Sequence, residues 1–164
     1  MTKQLISQHK NQNKLGLFII MVFILSGCID NQTVYYSSQD IPLLSWKIKD
    51  SIRFDIGWMD SLNTYQLDWE IRNDNHYRYQ NIGLEVIMMK GATIIERDTL
   101  NYPITDEKGI WKGNGWGSLF QNSYEYKKMK FPYKGNYQFI VHPFMNDWDL
   151  KGIGSIGLKI QSVD

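Results

Sequence analysis

From Ser45 onward, apolar and polar residues alternate with a period of two. Residues 64–73, TYQLDWEIRN, set Tyr65, Leu67, Trp69 and Ile71 against Gln66, Asp68, Glu70 and Arg72. This is the pattern of a strand with one face on a core and the other in water. The same rule selects Ile52, Phe54, Ile56 and Trp58 in SIRFDIGWM, Tyr137, Phe139 and Val141 in GNYQFIVHP, and Ile156, Leu158 and Ile160 in IGSIGLKIQ. NIGLEVIMM and ATIIERDTL are two shorter candidates, with Lys90-Gly91 as the hairpin turn between them. Apolar residues three and four apart do not persist for two helical turns in this region. Strands broken at short intervals by Gly, Asn, Asp and Pro predict an all-β domain, a single antiparallel two-sheet β-sandwich. No internal repeat is present.

The beginning of the chain follows a different pattern. A polar stretch with Lys3, Lys10 and Lys14 leads into LGLFIIMVFIL, the 11 residues from Leu15 to Leu25. That matches the apolar region of a signal peptide and falls short of the ~20 residues a helix needs to cross a bilayer. Leu25-Ser26-Gly27-Cys28 follows, and it resembles the lipobox of bacterial lipoproteins. In such signals a diacylglycerol is joined to the cysteine sulfur, the chain is cut before the cysteine, and the new amine is acylated. Two or more acyl chains, at ~0.8 kcal/mol per buried methylene, hold a protein on a membrane almost permanently. Cys28 is the only cysteine, so no disulfide can form within the chain and the exported domain must rely on its core. These features predict residues 1–27 as a lipoprotein signal peptide and 28–45 as the lipidated cysteine and a tether that becomes ordered towards its end. Residues 46–164 form the β-sandwich domain in this division.

Charge changes the picture only slightly. The whole chain carries +1 with 21% charged residues. Because three basic residues and no acidic ones precede Asp30, the part beyond residue 27 carries about −2. A basic surface for nucleic acid is not indicated.

Candidate chemistry is sparse. His76 and His142 lack a zinc-type spacing, so no metal site is expected. Asp147 and Asp149 are spaced as in a calcium loop, but the third ligand, central glycine and closing glutamate are missing, which favours a surface turn. Asp68 with Glu70, and Glu96 with Asp98, share strand faces as carboxylate pairs of a glycosidase would, but so do polar residues on any amphipathic strand. KGIWKGNGWGS lacks the Gly-Lys-Ser/Thr ending of a phosphate loop and suits a turn or bulge beside Trp111 and Trp116. No catalytic residue is expected, and no cofactor beyond the diacylglycerol and N-acyl chain at Cys28.

Aromatic residues are the one excess. Beyond residue 27 lie 6 Trp, 10 Tyr and 5 Phe, more than the interior of a small sandwich needs, so some are expected at a binding surface. Tyr77, Arg78 and Tyr79 in YRYQN, with Trp111 and Trp116, are the candidates.

The lipobox and the segments YQLDWEIRNDNHYRYQNIGLEV, DTLNYPITDEKGIWKGNGWGSLF, FPYKGNYQFIVHPFM and LKGIGSIGLKI, in that order, resemble the gliding-motility lipoprotein family GldH. The most specific parts run from Arg72-Asn73 to Tyr77-x-Tyr79-x-Asn81, from Asp98-Thr99-Leu100 to Gly109-x-Trp111-x-Gly113-x-Gly115, and from Met145 to Gly157. The resemblance implies a non-catalytic, lipid-anchored cell-envelope component that serves gliding and the associated secretion of surface proteins. It also implies envelope proteins of the motility machinery as partners, on the periplasmic side or at the cell surface. An alternative from the residues themselves is a lipid-anchored carbohydrate-binding module, because aromatic-rich sandwiches stack sugars on Trp and Tyr. Coplanar exposed rings beside Asn, Asp or Arg in a groove would favour sugar. A patch without convergent polar groups would favour protein.

Overall fold

The computed structural model of the chain describes residues 32–163; Cys28 and the signal peptide lie outside the described residues. In chain order the strands are β1 (Thr33–Asp40), β2 (Ser45–Lys47), β3 (Ile52–Met59), β4 (Tyr65–Asp74), β5 (Asn81–Lys90), β6 (Thr93–Pro103), β7 (Asn114–Trp116), β8 (Leu119–Met129), β9 (Gly135–Pro143), β10 (Asp149–Lys151) and β11 (Ile153–Ser162). The single helical turn among the described residues is a 3-10 turn at Pro42–Leu44.

The strands form a five-stranded sheet in the order β1-β11-β4-β8-β7, a four-stranded sheet in the order β3-β9-β5-β6, and a short ribbon of β10 and β2. Every pairing is antiparallel. Side chains from the two large sheets meet in one core, as expected for a sandwich. Trp69 of β4, fully buried, lies 5.8 Å from Phe54 of β3 and 6.3 Å from Phe139 of β9, measured between ring centroids. The alternation read in β4, β9 and β11 sets the inward faces: Leu67, Trp69, Ile71, Tyr137, Phe139, Val141, Ile156, Leu158 and Ile160 are all buried.

Three expectations are corrected. First, the segment assigned to a tether is largely folded. Residues 33–40 form β1, paired with β11 from Thr33 opposite Gln161 to Asp40 opposite Ser155. The Ile41 N–H then donates to the Gly154 carbonyl at 2.8 Å, and the Ile41 side chain is buried. An outer strand held by ladder hydrogen bonds needs no apolar alternation, and TVYYSSQD has no fully buried position. Second, Trp58 does not continue the inward row of β3. The pairing with β9 shifts between Ile56 and Trp58, so Gly57 acts as an extra residue and reverses the alternation. Trp58 is 70% exposed, while Met59 turns inward. Third, the β5–β6 turn lies one residue later than read: Lys90 pairs with Thr93, and Gly91, at φ +58°, opens the loop.

β8 was absent from the expected strands. Its inward positions are Phe120, Asn122, Tyr124 and Tyr126, a face too polar to show as apolar alternation. A bulge where Leu67 pairs with Lys127 and Asp68 with Glu125 leaves Tyr126 as the extra residue. It brings Tyr126 and Lys127 together onto Asp98 of β6.

Candidate functional site

The end of the sandwich formed by the β4–β5 loop, the β9–β10 loop and β10 holds two of the five residues singled out from the sequence. Arg78 and Tyr79 line a hollow of about 290 Å³ together with Asp147, Asp149 and Lys151. Arg78 is exposed and Tyr79 half-buried. The Tyr79 hydroxyl donates to Asp147 Oδ2 at 2.9 Å. That bond to a carboxylate raises the phenol above its ordinary pKa, with burial and the Asp147 charge acting the same way and Arg78 opposing them. Asp149 is held by the Ser45 hydroxyl across the β10–β2 ribbon. Two cations and two carboxylates therefore converge beside one phenol ring.

Tyr77 is not part of this surface. It is 3% exposed, its hydroxyl donates to the Asn81 carbonyl at 3.0 Å, and burial drives its pKa strongly upward. It supports the groove from beneath, with its ring 5.6 Å from that of Tyr79 in edge contact. Residues 75–80 form a loop, in which Tyr77 turns into the core while Tyr79 stays partly at the surface. Trp111 is half-buried against the core and stacks on Phe120 at 5.6 Å and 26°. It is fixed by a backbone bridge to Thr105. It packs between elements and contributes nothing to the lining of the groove. Trp116 belongs to β7, where it pairs with Leu119; its side chain lies outside the described residues.

The spacing of Asp147 and Asp149 predicts only a surface turn, and no sequence pattern points to Lys151 or Trp148. Trp148 is 70% exposed and borders a second hollow of about 300 Å³ with Lys47, Ile48, Lys49 and Asp149. The Lys49 ammonium lies 5.6 Å from its ring centroid. No spacing rule marks these residues, because they converge through the pairing of β2 with β10, about 100 residues apart in the chain.

The carboxylates weighed for catalysis are engaged elsewhere. Glu70 accepts from the Tyr36 hydroxyl at 2.9 Å and from Gln121 at 3.1 Å. Lys127 lies 2.6 Å from Glu96 and 2.9 Å from Asp98. His76 is 80% exposed, with Nδ1 2.9 Å from Asp74 Oδ2. Among the described residues, no cluster of three or more His, Cys, Asp or Glu side chains could hold a metal ion, and no helix is long and apolar enough to cross a membrane.

The gliding motility lipoprotein GldH homolog of Christiangramia forsetii is 31% identical over 158 residues, covering 90% of this chain and 94% of the relative. Gliding motility lipoprotein GldH of Flavobacterium johnsoniae is 25% identical over 157 residues, covering 91% and 96%. A crystal structure from Sulfurospirillum deleyianum is similar with TM-score 0.44 and 12% identity, covering 78% of this chain and 97% of that one. The family model described as GldH lipoprotein matches residues 33–160, which run from the first residue of β1 into the last strand. The chain belongs to the GldH lipoprotein family.

Proposed function

We propose that this protein is a non-catalytic cell-envelope lipoprotein. It is anchored by acyl chains on Cys28 and acts as a component of the gliding-motility machinery and the surface-protein secretion associated with it. The observation that carries this reading is the extent of the family match: it covers the folded body from Thr33 to Ile160, and a lipobox stands just upstream. Envelope proteins of that machinery are the partners, and the groove of Arg78, Tyr79, Asp147, Asp149 and Lys151 is where one would be gripped. The groove is not the patch without convergent polar groups expected of a protein contact, but charged groups of both signs around a largely immobilised ring suit a protein surface of mixed charge.

A sugar platform is favoured less. The groove has the polar groups such a platform needs, but its one ring is half-buried and its hydroxyl is bound to Asp147.

Crosslinking of intact envelopes followed by affinity capture of the full chain tests the reading. Recovery of motility or secretion components, reduced in an Arg78→Glu/Lys151→Glu variant of unchanged thermal stability, is the expected result. Their consistent absence from the wild-type capture overturns it, and retention of a glycan that depends on Tyr79 would replace it with the carbohydrate reading.

A further inference from the structure

Both ends of the sandwich expose large apolar side chains, Leu43, Phe144 and Trp148 among them at the groove end, but the chain enters at the other one. Gln32, the first described residue, accepts a hydrogen bond from the Ser162 N–H at 2.7 Å. The Val163 N–H donates to the Thr64 carbonyl at 3.0 Å, Tyr65 pairs with Met129, and Met59 pairs with Gly135. The entry point, the β3–β4 loop and the β8–β9 loop therefore lie at the same end. The groove lies at the other end, ten residues of β11 away, or about 30 Å at strand rise.

The entry end exposes large apolar side chains that the core does not use. Trp58 is 70% exposed, Leu62 68% and Tyr133 61%. Beside them stand Lys128, Lys130 and Lys134, all exposed. Among the described residues, Asp60 is the acid in these loops, and its Oδ1 accepts the Leu62 N–H at 2.8 Å; Asp164, next after Val163, lies outside the described residues. Only Ile29, Asp30 and Asn31 separate Cys28 from Gln32. Four residues of fully extended chain span about 14 Å at most, so a lipid on Cys28 keeps this end within that distance of its bilayer.

We propose that the end bearing Trp58, Leu62, Tyr133 and the three lysines rests on the lipid bilayer and points the Arg78–Tyr79–Asp147 groove away from it. The inference rests on the reading of Cys28 as the lipid anchor. A Trp and a Tyr suit the boundary between headgroups and acyl chains, and lysines near the surface are drawn to anionic headgroups. The short link makes this contact intramolecular, so a weak surface affinity suffices to hold the orientation.

The test uses the full lipidated chain in vesicles of phosphatidylethanolamine with a minority of phosphatidylglycerol. Cys28 carries lipid, so a new thiol at Leu62→Cys, or at Leu43→Cys on the opposite end, takes a nitroxide label selectively. The label at 62 is expected to be accessible to oxygen and shielded from a water-soluble relaxant, and the label at 43 to show the reverse. Replacing Lys128, Lys130 and Lys134 with Glu is expected to abolish the difference; a triple variant that keeps the label at 62 shielded overturns the role given to the lysines. Mass spectrometry of the same sample separates the remaining outcomes. A lipidated Cys28 with both labels open to water overturns the docking and leaves the anchor standing, and an unmodified Cys28 overturns both.

Discussion

Gly152 shows how a single position ties several elements together. Its N–H donates to the Leu44 carbonyl at 2.7 Å, and its carbonyl accepts the Asp74 N–H at 2.8 Å. Its φ is +90°, and an added Cβ would lie 2.5 Å from the Tyr77 nitrogen and 2.6 Å from Asp74 Oδ1. Gly152→Ala is therefore expected to combine a disfavoured backbone with a steric clash and to lower stability by about 1–3 kcal/mol, read as a lower urea midpoint with an unchanged slope. Gly57→Ala, which meets nothing within 4 Å, is expected to lie within about 0.5 kcal/mol of wild type. The sequence shows thirteen glycines alike; only the neighbours brought up by folding separate an obligatory glycine from a replaceable one.

At the level of elements, β8 is the informative case. Its bulge directs both Tyr126 and Lys127 at Asp98 on β6, the outer strand of the opposite sheet. Burial acts to raise the Asp98 pKa, but hydrogen bonds from Tyr126 and Lys127 and the Lys127 charge outweigh it and hold the carboxyl below its ordinary value of 3.8. Because the folded pKa lies below the unfolded one, the ionised group adds stability at pH values above 3.8. That stability is lost as pH falls through the folded value. With Asp98 32% exposed, the contribution is screened and stays below about 1 kcal/mol. Tyr126→Phe removes one donor, and an NMR titration is expected to show the Asp98 pKa rising towards 3.8. An unmoved titration would mean that Lys127 alone sets it. β4 was legible because Leu67, Trp69 and Ile71 alternate with charged or amide residues. β8 and β1 were not, since Asn122 and Tyr124 fill inward positions of β8 and β1 is held by its ladder to β11. Two of the residues that line the groove were legible for a similar reason: Arg78 and Tyr79 are neighbours, whereas Asp147, Asp149 and Lys151 join them only through chain pairing.

On the scale of the whole molecule, Trp69 joins the two sheets. Its ring meets Phe54, Phe139 and Tyr126 within 6.3 Å. Trp69→Ala should open a cavity between the sheets and cost about 3–5 kcal/mol, measured by chemical denaturation. No disulfide shares that load, since Cys28 is the only cysteine. The body so stabilised carries its charged groove at one end and its exposed Trp58, Leu62 and Tyr133 at the other. With the entry end held to a bilayer through Cys28 as proposed, the groove would be left free for a second component.

The amino-acid order alone was enough for the all-β class, the inward rows of β4, β9 and β11, and the family resemblance. Each of these is local: it depends on residue types at fixed short spacings. Tertiary structure decided the rest. It drew residues 33–40 into the sheet, turned Trp58 outward at Gly57, buried Tyr77 beneath Tyr79, and placed Asp147, Asp149 and Lys151 around Arg78. Those outcomes depend on which strands pair and in what register, and strand pairing is settled by contacts between residues far apart in the chain.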